Sequence, residues 1–441
     1  MKVLVVGNGA REHALACALR HSPQKPDVYA FMTSVNPGIA RIAKDYSLGG
    51  ICQGPEVLKY AKNTGIDLVV IGPEAPLSCG VVDYLSDEGI LCVGPRQAAA
   101  QIETNKTFQR SLMADHNIPG LPRYRVFQQA GEAEQYIRDC GFDVVVKPAG
   151  LTGGKGVKIM GEHFDREGAA KYASTVLNTG LGKINEVLVE ERLEGEEFTL
   201  QAFVDGENLV GMPMVQDHKR AYEGDMGPNT GGMGSYNGCG FILPFLSEKD
   251  YEEAVDIMQK TVSAIKSETG EKYVGFLYGQ FMATKEGLKV IEFNARLGDP
   301  EAMNVLTLLD YDFLDVCERM AGGMLTNKFG FKKQASVCKY LVPQGYPEDP
   351  ATGVEVKVNE KKIQDLGGNV FYASVSEEGG RILTSSSRAI AVVGSANCIT
   401  EAEVVVEESM KHVEGELFHR KDIGTRALIE KRIDHMKKLR G

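Results

Sequence analysis

A carboxylate and an amide lie two residues apart at the end of an apolar strand pattern, in VIEFNARLGDPE at residues 290–301. Because side chains alternate between the two faces of a strand, Glu292 and Asn294 share one face. A three-residue hairpin loop at 285–287 would set Gln280, on the preceding apolar run, opposite Glu292. Oxygen ligands that converge on a sheet face suit a hard cation such as Mg²⁺, with phosphate oxygens and waters completing its shell. The hairpin therefore predicts the floor of a metal and nucleotide site, although a strand-end carboxylate that is simply solvated is the alternative.

Lys147 lies in an otherwise apolar strand pattern, DVVVKP, and a glycine-rich loop follows it. The loop PAGLTGGKGV, at residues 148–157, can lay backbone N–H groups over a polyphosphate while its lysine adds positive charge. It is not a P-loop, which would require Ser or Thr where Gly156 stands. A flexible hairpin is the alternative, but a lysine in an apolar strand is costly without an anionic partner. We therefore assign phosphate binding to Lys147, Gly153, Gly154, Lys155 and Gly156.

The first glycine turn, at residues 7–13, resembles a dinucleotide-binding fingerprint but has Glu12 where the third glycine should be. The end of the second strand pattern, at 31–38, also lacks an acid to hold a ribose hydroxyl. A nicotinamide cofactor is therefore not expected. What remains is a turn at a helix N-terminus, whose N–H groups and Arg11 can hold a phosphate monoester. A plain structural turn is the alternative, but it would not require the polar Asn8.

Two further segments carry polar groups beside glycines. In VEERLEGEE, at residues 189–197, a strand end can hydrogen-bond an adenine edge and Glu197 can accept from ribose hydroxyls, although this segment alone is typical of an acidic turn. QDHKR at 216–220 precedes GPNTGGMG at 227–234, and glycines let a backbone approach a ligand closely. A solvated loop is the alternative for the second pair of segments, but the glycine run favours a substrate pocket.

The chain has 441 residues, which is too long for one compact core, and 43% of them are hydrophobic. Its net charge of −11 argues against a nucleic-acid or anionic-membrane partner. The nine cysteines form no CxxC pair and indicate reduced thiols. The chain begins with a strand pattern and holds no run of about 18 apolar residues. We therefore expect neither a signal peptide nor a membrane span, and a cytoplasmic location.

Strand and helix patterns alternate from Lys2 to about Gly94, where KVLVVG, VYAFM, LVVIG and ILCVG are typical of buried parallel strands. This predicts a doubly wound α/β unit. Short strands, helices and glycine turns continue to about Gly323 and predict an α+β region. Beyond about Phe331, runs such as VCKYLVP and NVFYASVS predict an antiparallel domain with a terminal helical pair. No repeat or long linker separates these parts, so we expect them to pack around a shared site.

The sequence resembles the ATP-grasp ligases in the order of four features: Lys106, Lys147 with GLTGGKGV, EERLEGEE and IEFNARLGDPE. GNGAREHA, GPEAPL, QDHKR, GPNTGGMG, FNARLGDPE and RKDIGTRA are similar to motifs of the phosphoribosylamine–glycine ligase family, and they span nearly the whole chain. Some positions depart from the commonest family wording: Pro148 and Ala149 stand where KADG is frequent, and ARLGDPEA replaces CRFGDPET. These changes around the phosphates are conservative and bear on lineage more than on activity.

The resemblance implies ATP-dependent joining of glycine to 5-phosphoribosylamine through glycyl phosphate, with Mg²⁺ or Mn²⁺ as the metal. It also implies three domains: an N-terminal α/β domain for the sugar phosphate at 1–105, an ATP-grasp domain at 106–327 with a flexible small subdomain at about 124–195, and a C-terminal α+β domain at 328–441. The partners are then small molecules. We expect a monomer or a weak homodimer.

The family pattern places ATP beside Lys106, Lys147, Gly153, Gly154, Lys155, Gly156, Glu190, Glu191 and Glu197, and the metal at Gln280, Glu292 and Asn294. We assign Arg296 and Asp217 to glycine and the anionic intermediate. We assign the sugar phosphate to Asn8, Gly9, Arg11, Glu74, Lys219, Asn229, Thr230, Gly231 and Gly232. Two other functions stay open here: an ATP-grasp ligase for another acid or amine, and a nucleotide-binding regulator that no longer catalyses. GPNTGGMG with RKDIGTRA speaks against the first, and the intact metal set against the second.

Overall fold

The computed structural model describes residues 1–152, 156–326 and 329–441. The first unit consists of β1 Lys2–Val6, α1 Ala10–Arg20, β2 Asp27–Met32, α2 Pro37–Ile42, β3 Asp45–Leu48, α3 Gly54–Thr64, β4 Leu68–Ile71, α4 Glu74–Ser78, α5 Val81–Asp87 and β5 Leu91–Val93. Its parallel sheet has the order β3-β2-β1-β4-β5, which confirms the doubly wound unit. The edge strand β3 was not predicted, because it is short and largely exposed.

Two helices, α6 Gln97–Thr104 and α7 Lys106–Asp115, follow this unit. Asn105 separates them, and its side chain accepts hydrogen bonds from the N–H groups of Thr107 and Phe108. Asn is a preferred N-cap residue because its side chain satisfies these otherwise unpaired donors. The cap makes Lys106 the first residue of α7.

A small antiparallel subdomain follows, with β6 Tyr124–Phe127, α8 Ala130–Asp139, β7 Val144–Pro148, β8 Lys158–Ile159, α9 Arg166–Thr179 and β9 Val187–Glu191. Its strand order is β6-β9-β7-β8. Apolar residues of β7 and β9, among them Val146 and Val189, pack with α8 and α9 into a hydrophobic core separate from the main one. The subdomain therefore has its own packing.

The central region continues with β10 Glu196–Asp205, β11 Leu209–Gly211, β12 Gln216–Asp217, β13 Arg220–Tyr222, a 3₁₀ turn Glu223–Asp225, β14 Met226–Asn229, β15 Gly234–Asn237, α10 Glu248–Thr269, β16 Val274–Thr284, β17 Gly287–Asn294, α11 Glu301–Leu308 and α12 Phe313–Gly322. Its main antiparallel sheet has the order β11-β10-β16-β17. Ser247 and Asp250 form a capping box that starts α10. This sheet carries the predicted metal ligands.

The C-terminal region contains β18 Ala335–Pro343, β19 Glu355–Val358, α13 Glu360–Asp365, β20 Gly368–Tyr372, β21 Val375–Glu378, β22 Arg381–Thr384, β23 Ile390–Ala396, α14 Ile399–Met410, β24 Val413–Glu414, β25 Leu417–Phe418 and α15 Arg426–Arg440. One sheet has the order β12-β15-β18-β23-β20, so it joins strands from both sides of the predicted boundary at 327/328. The main hydrophobic core likewise runs from the N-terminal sheet to α15. Within the described residues, no helix is both long and apolar enough to cross a bilayer.

Candidate active site

The hairpin of β16 and β17 places Gln280 opposite Glu292, which confirms the predicted register. The turn differs from the predicted one, because Thr284 pairs with Gly287 and leaves a loop one residue shorter. A β-bulge at Ile291 adds one residue to β17 and restores the register at Gln280. A shorter loop and a bulge thus compensate each other.

The bulge leaves the Ile291 carbonyl free of the ladder, and two buried cations use it. Arg110 Nη2 donates to this oxygen at 2.8 Å and Lys147 Nζ donates at 3.2 Å. The same cations hold Glu190, with Lys147 Nζ 2.6 Å from Oε2 and Arg110 Nε 2.6 Å from Oε1. Burial alone would raise the pKa of Glu190, but Arg110 and Lys147 outweigh it and lower the pKa to about 2. Glu190 therefore fixes Lys147 at the edge of the hairpin.

Gln280 is completely buried, and its amide has a defined orientation. Its Nε2 donates to Glu197 Oε2 at 2.6 Å, whereas its Oε1 has no hydrogen-bond partner among the described residues. An unpaired buried acceptor costs about 1–3 kcal/mol, so this oxygen calls for a ligand. Asn294 is also buried and shares a face with Glu292. An amide oxygen, a carboxylate and a second amide fit Mg²⁺ or Mn²⁺, which accept oxygen ligands.

Three lysines stabilise the charged form of Glu292. Burial alone would raise the pKa of this carboxyl, but Lys219, Lys106 and Lys147 lower it below its usual value. Lys106 Nζ donates to Gly150 O at 3.0 Å, at the start of the glycine-rich loop. Glu292 is therefore ionised near neutral pH, as a cation ligand must be. In the described part of the chain, no group of three or more His, Cys, Asp or Glu side chains offers a competing metal site.

Lys219 lies among acidic side chains. Its Nζ is 3.7 Å from Glu197 Oε2 and 3.8 Å from Asp217 Oδ2. Burial opposes its charge, but Asp217, Glu197 and Glu292 raise the pKa of Lys219 above its usual value. The lysine stays protonated. The structure therefore brings together Glu197, Asp217, Lys219 and Glu292, which lie far apart in the sequence.

Arg296 connects this group to the N-terminal domain. Its Nη2 is 3.1 Å from Glu103 Oε1, and its Nε is 3.5 Å from Glu74 Oε2 without forming a hydrogen bond. Glu74 is the first residue of α4. Burial raises the pKa of Glu103 to about 7, although Arg296 acts in the opposite direction. Arg296 therefore lies between Glu103 and Glu74, beside the predicted sugar-phosphate residues.

The glycine run that follows β14 is held from two sides. The backbone N–H of Thr230 donates to Lys219 O at 2.7 Å, and its hydroxyl donates to the same oxygen at 2.8 Å. From the C-terminal region, Arg388 Nη1 donates to Gly231 O at 2.8 Å and to Gly232 O at 3.1 Å. Asn229, the last residue of β14, precedes this run. Arg388 was not predicted, because one arginine before an apolar strand carries no motif.

The first glycine turn is occupied by a side chain of its own helix. Gly9 N–H donates to Glu12 Oε2 at 2.6 Å, and Arg11 Nε donates to Glu12 Oε1 at 2.7 Å. Arg11 is buried, and its Nη1 donates to Leu297 O at 2.9 Å. A Cβ on Gly72 would lie 2.2 Å from Glu12 Cγ. Glu12 thus fills the space between the turns after β1 and β4, and Arg11 supports that arrangement.

The remaining predicted residues lie at the edges of this region. Asn8 Nδ2 donates to Ser34 Oγ at 3.0 Å on an exposed rim. Glu191 points away from Lys147 and accepts at 2.9 Å from the N–H of Arg123. Gly156 N–H donates to Thr152 Oγ1 at 3.3 Å. Three predicted phosphate-binding residues lie outside the described ones: Gly153, Gly154 and Lys155.

Comparison with known proteins gives consistent matches over the chain. Models of the phosphoribosylglycinamide synthetase family match residues 1–103 (N domain), 104–302 (ATP-grasp domain) and 336–426 (C domain). A phosphoribosylamine–glycine ligase from Methanothermobacter thermautotrophicus is 54% identical over 441 residues, covering 100% of both chains. One from Methanosarcina barkeri is 51% identical over 444 residues, again covering 100% of both.

Solved structures agree with these matches. The crystal structure of phosphoribosylamine–glycine ligase from Thermotoga maritima has a TM-score of 0.81 at 28% identity, covering 96% of this chain and 100% of that chain. A biotin carboxylase from Campylobacter jejuni has a TM-score of 0.74 at 12% identity, covering 99% and 95%, and shows the fold alone. The chain belongs to the phosphoribosylglycinamide synthetase family, whose members are also named phosphoribosylamine–glycine ligases.

Proposed function

We propose that this protein joins glycine to 5-phosphoribosylamine by way of glycyl phosphate, converting ATP to ADP and phosphate in the second step of de novo purine synthesis. The observation that carries the proposal is the hairpin floor, where Gln280 offers an unpaired buried oxygen beside the ionised Glu292. A nucleotide-binding regulator would not need such a site, and family membership favours the ligase over a regulator.

In the first step, a carboxylate oxygen of glycine attacks the γ-phosphorus of ATP and ADP leaves. Lys106 and Lys147 offset the negative charge on the phosphoryl oxygens, and the fixed position of Lys147 avoids reorganisation during transfer. Gln280, Glu292 and Asn294 would hold Mg²⁺ or Mn²⁺, which supplies further charge neutralisation when bound. Glu197, near Lys219, accepts hydrogen bonds from the ribose hydroxyls. Glu190 orients Lys147.

In the second step, the amine of phosphoribosylamine attacks the carbonyl carbon of glycyl phosphate, inorganic phosphate leaves and the nitrogen loses a proton. Arg296 binds the acyl phosphate, and Asp217 binds the ammonium group of glycine. The sugar phosphate lies against Asn8, Glu74, Lys219 and the backbone of Thr230–Gly232. Arg11 supports the Gly9 turn from behind.

The test is ADP release with Mg-ATP, glycine and phosphoribosylamine generated from ribose 5-phosphate and ammonia, with each component omitted in turn. We expect ADP only when all three are present. ADP without the sugar amine would indicate a different acceptor. For the intermediate, glycine labelled with ¹⁸O in its carboxylate should transfer one ¹⁸O to inorganic phosphate, and unlabelled phosphate would contradict glycyl phosphate.

We also propose that the protein is a cytoplasmic monomer or weak homodimer that acts on small molecules only. All nine cysteines are free thiols, which suits a reducing compartment. The net charge of −11 disfavours nucleic acid as a partner. Sedimentation at several protein concentrations tests the oligomeric state, and a stable larger assembly would contradict it.

A further inference from the structure

Two segments of the active site each present one face to the substrates and the other face to the C-terminal helix. At the start of β10, Glu197 contacts Gln280 while the neighbouring Glu196 is buried against α15. In the segment from β12 to β13, Asp217 and Lys219 face the acidic group around Glu197. His218, between them, turns the other way. Alternation along an extended chain produces this division.

The groups on the back of these segments meet charged side chains from the end of the sequence. Arg432 Nε lies 3.3 Å from Glu196 Oε2, and Arg432 Nη2 donates to Asp225. His435 Nδ1 lies 2.6 Å from Glu196 Oε1. Arg420, which is almost completely buried, lies 3.0 Å from Asp225 through its Nη2. We call Arg420, Arg432 and His435 the C-terminal clamp.

Arg420 belongs to RKDIGTRA, the one family motif that the proposed mechanism leaves without a role. Its Nη1 donates to Arg220 O at 3.1 Å, directly after Lys219. Asp422 of the same motif accepts both from Arg420 Nη2, at 2.6 Å, and from the N–H of Gly224, at 3.0 Å. The motif therefore fixes the turn that follows QDHKR.

A ring stack followed by two hydrogen bonds connects His218 to the active-site side. The His218 ring stacks on Tyr236 at 5.7 Å, and its Nδ1 lies 3.5 Å from Asp225 Oδ1. Tyr236 Oη donates to Gln216 Oε1 at 2.5 Å, and Gln216 Nε2 donates to Glu197 O at 2.9 Å. The groups behind the site are thus connected to the backbone that carries Glu197.

We propose that Arg420 and Arg432 are positioning residues, which hold Glu197, Asp217 and Lys219 in register from behind without touching a substrate. The inference rests on the proposed function, because it concerns the same site. Glu197 in turn orients the Gln280 amide, so a shift of β10 would turn the proposed metal ligand. Partners that orient ligands in this way typically change affinity or activity roughly 10- to 100-fold when removed.

The test compares Arg432→Met and Arg432→Lys with Arg440→Met. Arg440 lies on the same helix, away from the clamp, and binds Asp250 at 2.9 Å and the Thr284 carbonyl at 3.0 Å, so it is a control for loss of an ion pair. The readouts are the affinity for a non-hydrolysable Mg-ATP analogue by calorimetry, and KM and kcat in the ligase assay. We expect Arg432→Met to lower the affinity for the analogue roughly 10- to 100-fold. Arg432→Lys should recover part of this loss, and Arg440→Met should keep the wild-type affinity.

If Arg432→Met fails to fold, Glu196→Gln is a milder variant that keeps the shape of the side chain held by the clamp. It should also weaken the binding of the analogue. Wild-type affinity in Glu196→Gln, or an equal loss in Arg440→Met, would overturn the positioning role. A wild-type protein that binds the analogue but makes no glycinamide ribonucleotide would instead refute the proposed function. The analogue affinities would then still decide the inference.

Discussion

Lys147 shares its only carboxylate partner among the described residues, Glu190, with Arg110. Within this group of three buried side chains, two cations and one carboxylate carry one net positive charge. Because an uncompensated buried charge is costly, this group favours an incoming anion. The lysine is therefore ready for a phosphate before any ligand arrives.

Lys147→Ala should weaken the binding of ATP far more than the binding of the sugar phosphate, because it removes that net charge from the nucleotide side of the site. The loss of a charge-assisted contact is expected to be about 1.5–3 kcal/mol for ATP. Calorimetry with an ATP analogue and with ribose 5-phosphate measures both affinities. Lys171→Ala, on the exposed face of α9, is the control. An equal loss of both affinities would refute this division of labour.

Glu292→Ala should abolish ATP turnover, because the proposed metal would lose its only carboxylate ligand. The assay is ADP release at saturating glycine and phosphoribosylamine. Glu286→Ala changes an exposed glutamate in the loop of the same hairpin and should retain wild-type turnover. Turnover in Glu292→Ala that matched the control would remove the basis for the metal assignment.

Individual side chains could be predicted only where local geometry decides them. The alternation of strand faces suffices to bring Glu292 and Asn294 together. The surroundings of Arg11 could not be predicted, because they include the Leu297 carbonyl, which is distant in the sequence. Arg388 and Arg110 were missed for the same reason, since their partners are distant in the sequence.

At the scale of elements, the β16–β17 hairpin shows how a correct register can arise from two unpredicted details. The loop after Thr284 is one residue shorter than predicted, and the bulge at Ile291 adds the residue back. Hydrophobic alternation specifies which residues face each other but not where an extra residue is inserted. The bulge has a function of its own, because its carbonyl binds Lys147.

A second element, β18, depends on a fully buried lysine. Lys339 Nζ donates to Glu403 Oε1 at 2.8 Å and to Glu407 Oε1 at 2.6 Å, which ties α14 to the sheet. His419 Nε2 is 3.0 Å from the same Glu407 oxygen. Burial alone would raise the pKa of Glu407, but His419 and Lys339 lower it to about 2.

This carboxyl predicts an acid-dependent stability. Because the folded pKa of Glu407 lies below its usual 4.5, its contribution is fully present above about pH 4.5 and is lost as the pH falls toward 2. Over this pH window, the stability of the wild type, measured by thermal unfolding, should therefore fall further than the stability of Glu407→Gln. Glu408→Gln, whose parent residue forms an exposed pair with Lys411, should behave like the wild type. Parallel curves for the wild type and Glu407→Gln would contradict the assignment.

At the scale of the whole molecule, the domains share more structure than the sequence indicated. The N-terminal sheet was predictable because buried parallel strands are near-continuous apolar runs. The pairing of Gly234–Asn237 with β18 was not, because long-range strand pairing leaves no local pattern. The predicted boundary at 327/328 therefore lies between strands of one sheet.

Two separate cores predict two levels of local stability. Amides of β7 and β9, in the small core, should exchange with deuterium faster than those of β16 and β18, in the large core. An Mg-ATP analogue should slow exchange in β7, because Lys147 lies on that strand. Hydrogen–deuterium exchange with mass spectrometry measures both effects. Equal protection in the two cores would show that they open as one unit.

Glu12 determines what the first glycine turn can bind. Its carboxylate occupies the Gly9 N–H, and its stem fills the crevice next to Gly72. Doubly wound sheets usually receive dinucleotides at this crevice. A pyrophosphate at this turn would therefore have to displace the Glu12 carboxylate from the Gly9 N–H.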